Sequence, residues 1–159
     1  AQALKLAGAQ FHLNYAGGGK SLEAFRQRTA EMNLADCVTF HGFVSDEKLA
    51  ELYQEADIFA LPSSGEGFGL VYLEAMARGL PCIASTAGAA TEVVLDGECG
   101  RCIPNGDVTA LTAALHELVQ HPELRRRLGE AGRQRYLQHF TETAFTVRFQ
   151  ALLERLLAG

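Results

Sequence analysis

Two carboxylates raise the first question of chemistry. In the stretch "GEGFGLVYLE", Glu66 stands between Gly65 and Gly67, and Glu74 follows after seven intervening residues inside an apolar run. The longer segment "DIFALPSSGEGFGLVYLEAMARG" reads as a buried strand, a loop and a helix. That helix starts near Gly69 and stops at Arg78-Gly79, with Pro81 just beyond. Glu66 then lies in the loop at the mouth of the helix and Glu74 inside it. Eight residues at helical rise put the two carboxylates about 12 Å apart along the axis. That is too far for both to attack one glycosidic carbon, where a working pair stands roughly 5 to 9.5 Å apart. They grip different parts of a long ligand, or one of them is structural. Between them, Gly67 and Gly69 expose backbone N–H groups at a helix amino end, where orphan donors and the helix dipole both favour an anion. Hydroxyl, anion, hydroxyl is the outline of a nucleotide sugar: hexose, diphosphate, ribose. A loop glutamate such as Glu66 is as often merely solvated. Glu74 shares a helical face with Leu70, Leu73 and Ala77, so a carboxylate interrupts an apolar stripe and, if buried, calls for a partner.

The elements that must position these residues follow an alternating pattern. Strand-like runs occur at 11–17, 37–42, 57–62, 81–85 and 100–104. Helical periods lie between them, with Leu22, Phe25, Thr29 and Met32 on one face of 21–33, and Leu49, Leu52 and Tyr53 in 46–55 behind a Ser45 cap. Strand and helix alternating at this spacing predict an α/β fold with a mainly parallel sheet flanked by helices, which binds ligands at the carboxyl ends of its strands. From Asp107 onward the chain reads as a helical tail: 107–120, a helix opened by Pro122, and 142–157 with Phe145, Phe149, Leu152, Leu153 and Leu156.

Bulk composition narrows the classes. A length of 159 residues, 48% of them hydrophobic, suits one domain, taken as 1–159. Fourteen Lys and Arg against nineteen Asp and Glu give a net charge of −5, which argues against nucleic acid as a partner. Cys37, Cys82, Cys99 and Cys102 read as reduced thiols of a cytoplasmic protein rather than a disulfide framework. No apolar run approaches the roughly 20 residues of a membrane helix. Cys99-x-x-Cys102 has no second pair at ligand spacing, Arg125 to Arg127 sit between Glu123 and Glu130 as a solvated face, and the five histidines form no metal spacing. His41 is the histidine nearest a predicted loop of interest.

With these residues in view, the chain resembles the carboxyl-terminal, donor-binding domain of the family 4 retaining glycosyltransferases, which are built from two Rossmann-like domains. The resemblance is carried by "EGFGL" with "LEAMA", by "HGFVSDEKLAELYQEADIFALPSS" before them, and by "GLPCIASTAGAATEVVLDGECGRCIPNGD" and "HPELRRRLGEAGRQRY" after them, in the same order. It implies that Glu66 contacts the donor hexose as the catalytic-site carboxylate and that Glu74 contacts the ribose. It also implies that the backbone from Gly67 through Phe68, Gly69 and Leu70 meets sugar and diphosphate, that Phe43 and Val44 line the nucleobase, and that Gly17 lets backbone approach the donor closely. No cofactor and no metal are expected, with a nucleoside diphosphate sugar as donor substrate.

Some positions depart from the family pattern: Gly18 and Lys20 stand where Asp and Pro are usual, and Ala89 and Thr91 where Gly and Pro are common. The cationic residues that would neutralise the diphosphate and the acceptor-binding amino-terminal domain are expected outside these 159 residues. The first strand of a sheet ordered 3-2-1-4-5-6 is expected before Ala1 as well. The expectation is therefore part of an enzyme that transfers a hexosyl group with retention, peripheral to a membrane where its acceptor is lipid-linked, with self-association of the fragment through open sheet edges. A nucleotide-sugar epimerase or phosphorylase of similar architecture is the enzymatic rival. A non-catalytic nucleotide-sugar-binding module is the other.

Overall fold

The structure is a computed structural model that describes residues 1–65 and 67–157. In chain order it runs α1 (Gln2–Leu6), β1 (Leu13–Ala16), α2 (Leu22–Glu31), β2 (Val38–Gly42), α3 (Asp46–Glu55), β3 (Phe59–Leu61), α4 (Leu70–Ala77), β4 (Cys82–Ser85), α5 (Ala90–Val93), β5 (Gly100–Ile103), α6 (Val108–Gln120), α7 (Pro122–His139) and α8 (Glu142–Leu157). All strand pairs are parallel. The α/β class, the five strands and the helical tail therefore stand as the sequence predicts. The chain divides into two compact units, one of residues 1–56 with 107–122 and one of 57–106 with 123–159.

In the first unit β1 pairs with β2 from Leu13 opposite Val38, with an irregularity after Tyr15. The helix ends follow local chemistry. The Ser45 hydroxyl accepts from the Lys48 amide at 3.3 Å and the Asp107 carboxylate from the Ala110 amide at 2.8 Å, so α3 and α6 start where a side chain satisfies an orphan N–H. Leu52, Tyr53, Ala114 and Leu118 supply buried surface from these two helices. On α2 the shared face is only partly covered: Leu22 and Thr29 are half-buried, no residue of the helix is fully buried, and Phe25 is 52% exposed.

In the second unit the order is β3-β4-β5, with Phe59 opposite Cys82 and Cys82 opposite Gly100. All four residues of β4 are fully buried, and the Ser85 hydroxyl among them accepts from the Ala87 amide at 3.1 Å. Helix α4 buries Tyr72, Leu73, Ala75 and Met76. It ends in a Schellman motif: the Leu80 amide reaches the Ala75 carbonyl at 3.1 Å and the Gly79 amide the Met76 carbonyl at 2.9 Å, with Gly79 at φ +74°. Pro122 opens α7, as its fixed φ and missing donor favour at a first helical position. Residues of α7 meet α4 closely, since a Cβ on Gly129 would lie 1.9 Å from the Gly79 carbonyl oxygen.

Candidate functional site

The loop from Pro62 to Gly69 joins the carboxyl end of β3 to the amino end of α4. Its first turn is stitched by the backbone: the Ser63 amide donates to the Leu61 carbonyl at 2.7 Å, and the Gly65 amide to the Ser63 hydroxyl at 3.2 Å. Glu66, to which the family resemblance gives the catalytic place, lies outside the described residues. Gly67 is exposed, with open space where a side chain would be. Phe68 is 48% exposed and leans edge-on against Phe140, ring centroids 6.3 Å apart at 69°. Phe140 also carries the Arg135 guanidinium 5.4 Å from its centroid, and Arg135 donates to the Val93 and Glu92 carbonyls at 3.0 and 2.7 Å. Gly69 caps α4 in the left-handed region, φ +81° and ψ +46°, a conformation that glycine adopts without a Cβ penalty. Leu70, the first helical residue, is 64% exposed. The amino end of α4 thus faces solvent at Phe68 and Leu70, and the Tyr72 amide of its first turn donates to the Gly69 carbonyl at 2.9 Å.

Glu74 corrects one step of the sequence reasoning. Its carboxylate is exposed rather than sunk in an apolar stripe, because Leu70 beside it is exposed and the buried side of α4 is formed by Tyr72, Leu73, Ala75 and Met76. No buried-charge argument applies to it. Its backbone carbonyl accepts from Arg78 Nη1 at 2.9 Å. An exposed carboxylate about one turn from the helix start can take ligand hydroxyls without having been buried by the fold.

The other expected binding residues lie in the first unit and meet each other there. The Gly17 amide donates to the Gly42 carbonyl at 2.8 Å, tying the glycine turn to the start of the "GFVS" loop. Phe43 is 89% exposed, and its ring covers Gly18 so closely that a Cβ there would come within 2.4 Å of it. Val44 next to it is half-buried. His41 is engaged with Asn14 Oδ1 at 2.9 Å.

The cysteines are structural. Burial pushes the Cys82 and Cys99 thiols up and the Cys102 thiol up to about 11. The Cys99 and Cys102 sulfurs contact backbone at Leu95 and Val94. Among the described residues no three His, Cys, Asp or Glu side chains gather as a metal set. In the basic run, Arg125 lies 3.5 Å from Asp57, so part of it is an ion pair rather than a solvated face.

Sequence reasoning missed Tyr72, Arg135 and Phe140. Tyr72 sits unmarked in an apolar run, and nothing in "RQRYLQHF" reveals that an arginine there reaches back to residues 92 and 93.

Parallel sheets flanked by helices define the class of α/β domains. Within that class, a match over residues 1–135 places the chain in the family described as glycosyl transferases group 1, to which it belongs. It is 42% identical over 130 residues to MMP alpha-(1->4)-mannosyltransferase of Mycolicibacterium hassiacum, covering 81% of this chain and 32% of that protein. It is 38% identical over 124 residues to a GDP-mannose-dependent alpha-(1-6)-phosphatidylinositol monomannoside mannosyltransferase of Mycolicibacterium smegmatis, covering 74% and 32%. Among solved structures, sucrose-phosphate synthase from Thermosynechococcus elongatus superposes with a TM-score of 0.83 at 34% identity, over 99% of this chain and 41% of that one. The chain spans about a third of the length of these curated relatives.

Proposed function

We propose that residues 1–159 form the nucleotide-sugar-binding, carboxyl-terminal domain of a retaining glycosyltransferase. The whole enzyme would transfer a hexosyl group from a nucleoside diphosphate sugar to a hydroxyl acceptor held by an amino-terminal domain outside this chain. The observation that carries the reading is the amino end of α4, capped by Gly69 and exposed at Phe68 and Leu70, after the loop that follows β3, in a chain of this family. In this reading the Phe68, Gly69 and Leu70 amides stabilise the diphosphate as negative charge develops on it, which a preorganised helix terminus does without reorganising. Glu66 takes the hexose hydroxyls at the reacting sugar and Glu74 the ribose. Phe43, Val44 and Gly17 are assigned to the nucleobase end. The reaction needs no metal; donor binding unchanged by a chelator is the check.

The M. smegmatis relative's name puts GDP-mannose first among the donors to try. Calorimetric titration of the chain with UDP, GDP and ADP sugars should find weak, saturable binding with one base preferred. Binding of none of them would sink the reading. With the full-length enzyme, an epimerised sugar or sugar phosphate product would move the assignment to the enzymatic rivals, and donor binding without turnover to a non-catalytic module. A cytoplasmic location and no nucleic-acid partner remain part of the proposal, supported by the unpaired thiols and the net charge of −5. Among the described residues no helix is long and apolar enough to cross a membrane, and contact with a lipid-linked acceptor would be peripheral. The open edges of β1 and β3 support association with a second copy or a further strand, which light scattering resolves.

A further inference from the structure

The carboxyl end of β3 and the glycine cap of α4 are met by the same side chain, Tyr72. Tyr72 is fully buried in the first turn of α4, and its hydroxyl donates to the Leu61 carbonyl, the last residue of β3. That carbonyl is also the acceptor for the Ser63 amide, the first stitch of the loop. The Tyr72 ring stands edge-on to Phe59 of β3, centroids 5.7 Å apart at 85°. At the other end of the loop the same ring lies under Gly69, where a Cβ would come within 2.6 Å of it. Strand end, loop start and helix cap therefore all bear on one aromatic ring and its hydroxyl.

We infer that Tyr72 is a positioning residue for the donor loop, setting the separation of β3 and the α4 amino end so that the backbone of 62–65 and 67–69 is held ready for the nucleotide sugar. The inference rests on the donor reading above. A buried tyrosine hydroxyl keeps a partner wherever one is in reach, and here the partner is the hinge point of the loop. Binding groups hold their geometry only when the residues behind them are locked.

Tyr72→Phe keeps the ring and deletes only the hydroxyl, and the Leu61 carbonyl retains the Ser63 amide, so the variant should fold. Hydrogen exchange of the 62–72 segment in the unliganded protein should rise about three- to tenfold, with β4 and β5 unchanged. The dissociation constants for GDP-mannose and UDP-glucose, whichever the wild type binds, should rise by a similar factor. Ile103→Val, a comparable loss on β5 at the opposite edge of the same sheet, should lower the melting temperature yet move neither readout. Unchanged exchange in the 62–72 segment overturns the inference. So does faster exchange with unchanged donor affinity, or the same shifts in Ile103→Val. If the wild type binds neither sugar nucleotide while loop exchange rises, the pinning by Tyr72 stands and the donor reading falls.

Discussion

Strands β4 and β1 are both parallel and four residues long, yet their surroundings are opposite. Cys82, Ile83, Ala84 and Ser85 are all fully buried and paired on both edges. Leu13, Asn14, Tyr15 and Ala16 are all exposed and, among the described residues, paired on one edge with β2. The sequences differ in the same sense. "CIAS" is a short, small-residue run, as a strand covered on both faces requires. Around β1, polar and apolar residues alternate: His12 and Asn14 face Thr39 and His41, bonded at 2.8 and 2.9 Å, while Tyr15 packs on Phe40 at 5.6 Å. A half-polar strand cannot gain from burial on both faces what β4 gains. The second unit therefore has a packed base on which a loop can be held to a fraction of an ångström. In the first unit, the expected base-binding residues rest on surface contacts.

The largest expected difference between the two regions comes from adding one methyl group. In Gly129→Ala the new Cβ meets the Gly79 carbonyl oxygen at 1.9 Å and its carbon at 2.9 Å, backbone that is fixed by a helix end. The variant should lose about 3 kcal/mol or more in equilibrium denaturation. Gly18→Ala creates a similar clash, 2.4 Å, but with the ring of Phe43, which is 89% exposed and can swing away. Its cost should stay within about 0.5 kcal/mol, as for other surface changes. Equal losses would show that the first unit is as rigidly packed as the second.

A middle-sized effect separates binding from folding within the second unit. Because the Glu74 carboxylate is exposed, Glu74→Ala should leave stability within about 0.5 kcal/mol of wild type. It should weaken both the nucleoside diphosphate and its sugar by the loss of charge-assisted bonds to the ribose, roughly 1.5 to 3 kcal/mol. Glu66→Ala should spare the nucleoside diphosphate and weaken only the sugar-bearing form. Calorimetry with both ligands checks this, and equal losses in both variants would remove the division of roles.

Much of this was legible because caps and breakers act locally. Ser45, Asp107 and Pro122 mark helix starts that need no tertiary information, and the five strands fall within the predicted runs. The four-residue α5 escaped notice because it is too short to show a helical period. Burial was less legible. Spacing tells which residues share a helix face but not what covers it: of Leu22, Phe25, Thr29 and Met32, three are half-buried and Phe25 is exposed. Glu74 failed for the same reason: the apolar stripe was read from Leu70, Leu73 and Ala77, of which only Leu73 is buried, while Tyr72, Ala75 and Met76 carry the rest of the buried side. Tyr72 hid because a tyrosine among aliphatic residues reads as ordinary core until its hydroxyl is seen on Leu61.

The smallest expected effect lies in the first unit, at a polar link on its surface. Lys5 Nζ of α1 reaches the Asp36 carboxylate oxygens at 2.6 and 2.8 Å and the Asn33 carbonyl at 2.7 Å, just beyond the end of α2. The hydrogen bond from Lys5 holds the Asp36 carboxyl below its ordinary value of 3.8. A depressed pKa means that the folded chain binds this proton less readily than the unfolded chain. The contribution is therefore present above pH 3.8 and lost as pH falls through the lower folded value. Asp36→Asn mimics the protonated carboxyl and leaves Lys5 its bond to Asn33. Its melting temperature should lie slightly below that of the wild type at neutral pH, and the gap should close in acid and shrink with added salt, since both side chains are solvent-exposed. A gap that persists where the wild-type carboxyl is already protonated would mean that shape, not charge, ties α1 to the end of α2, and that the first unit is held by packing after all.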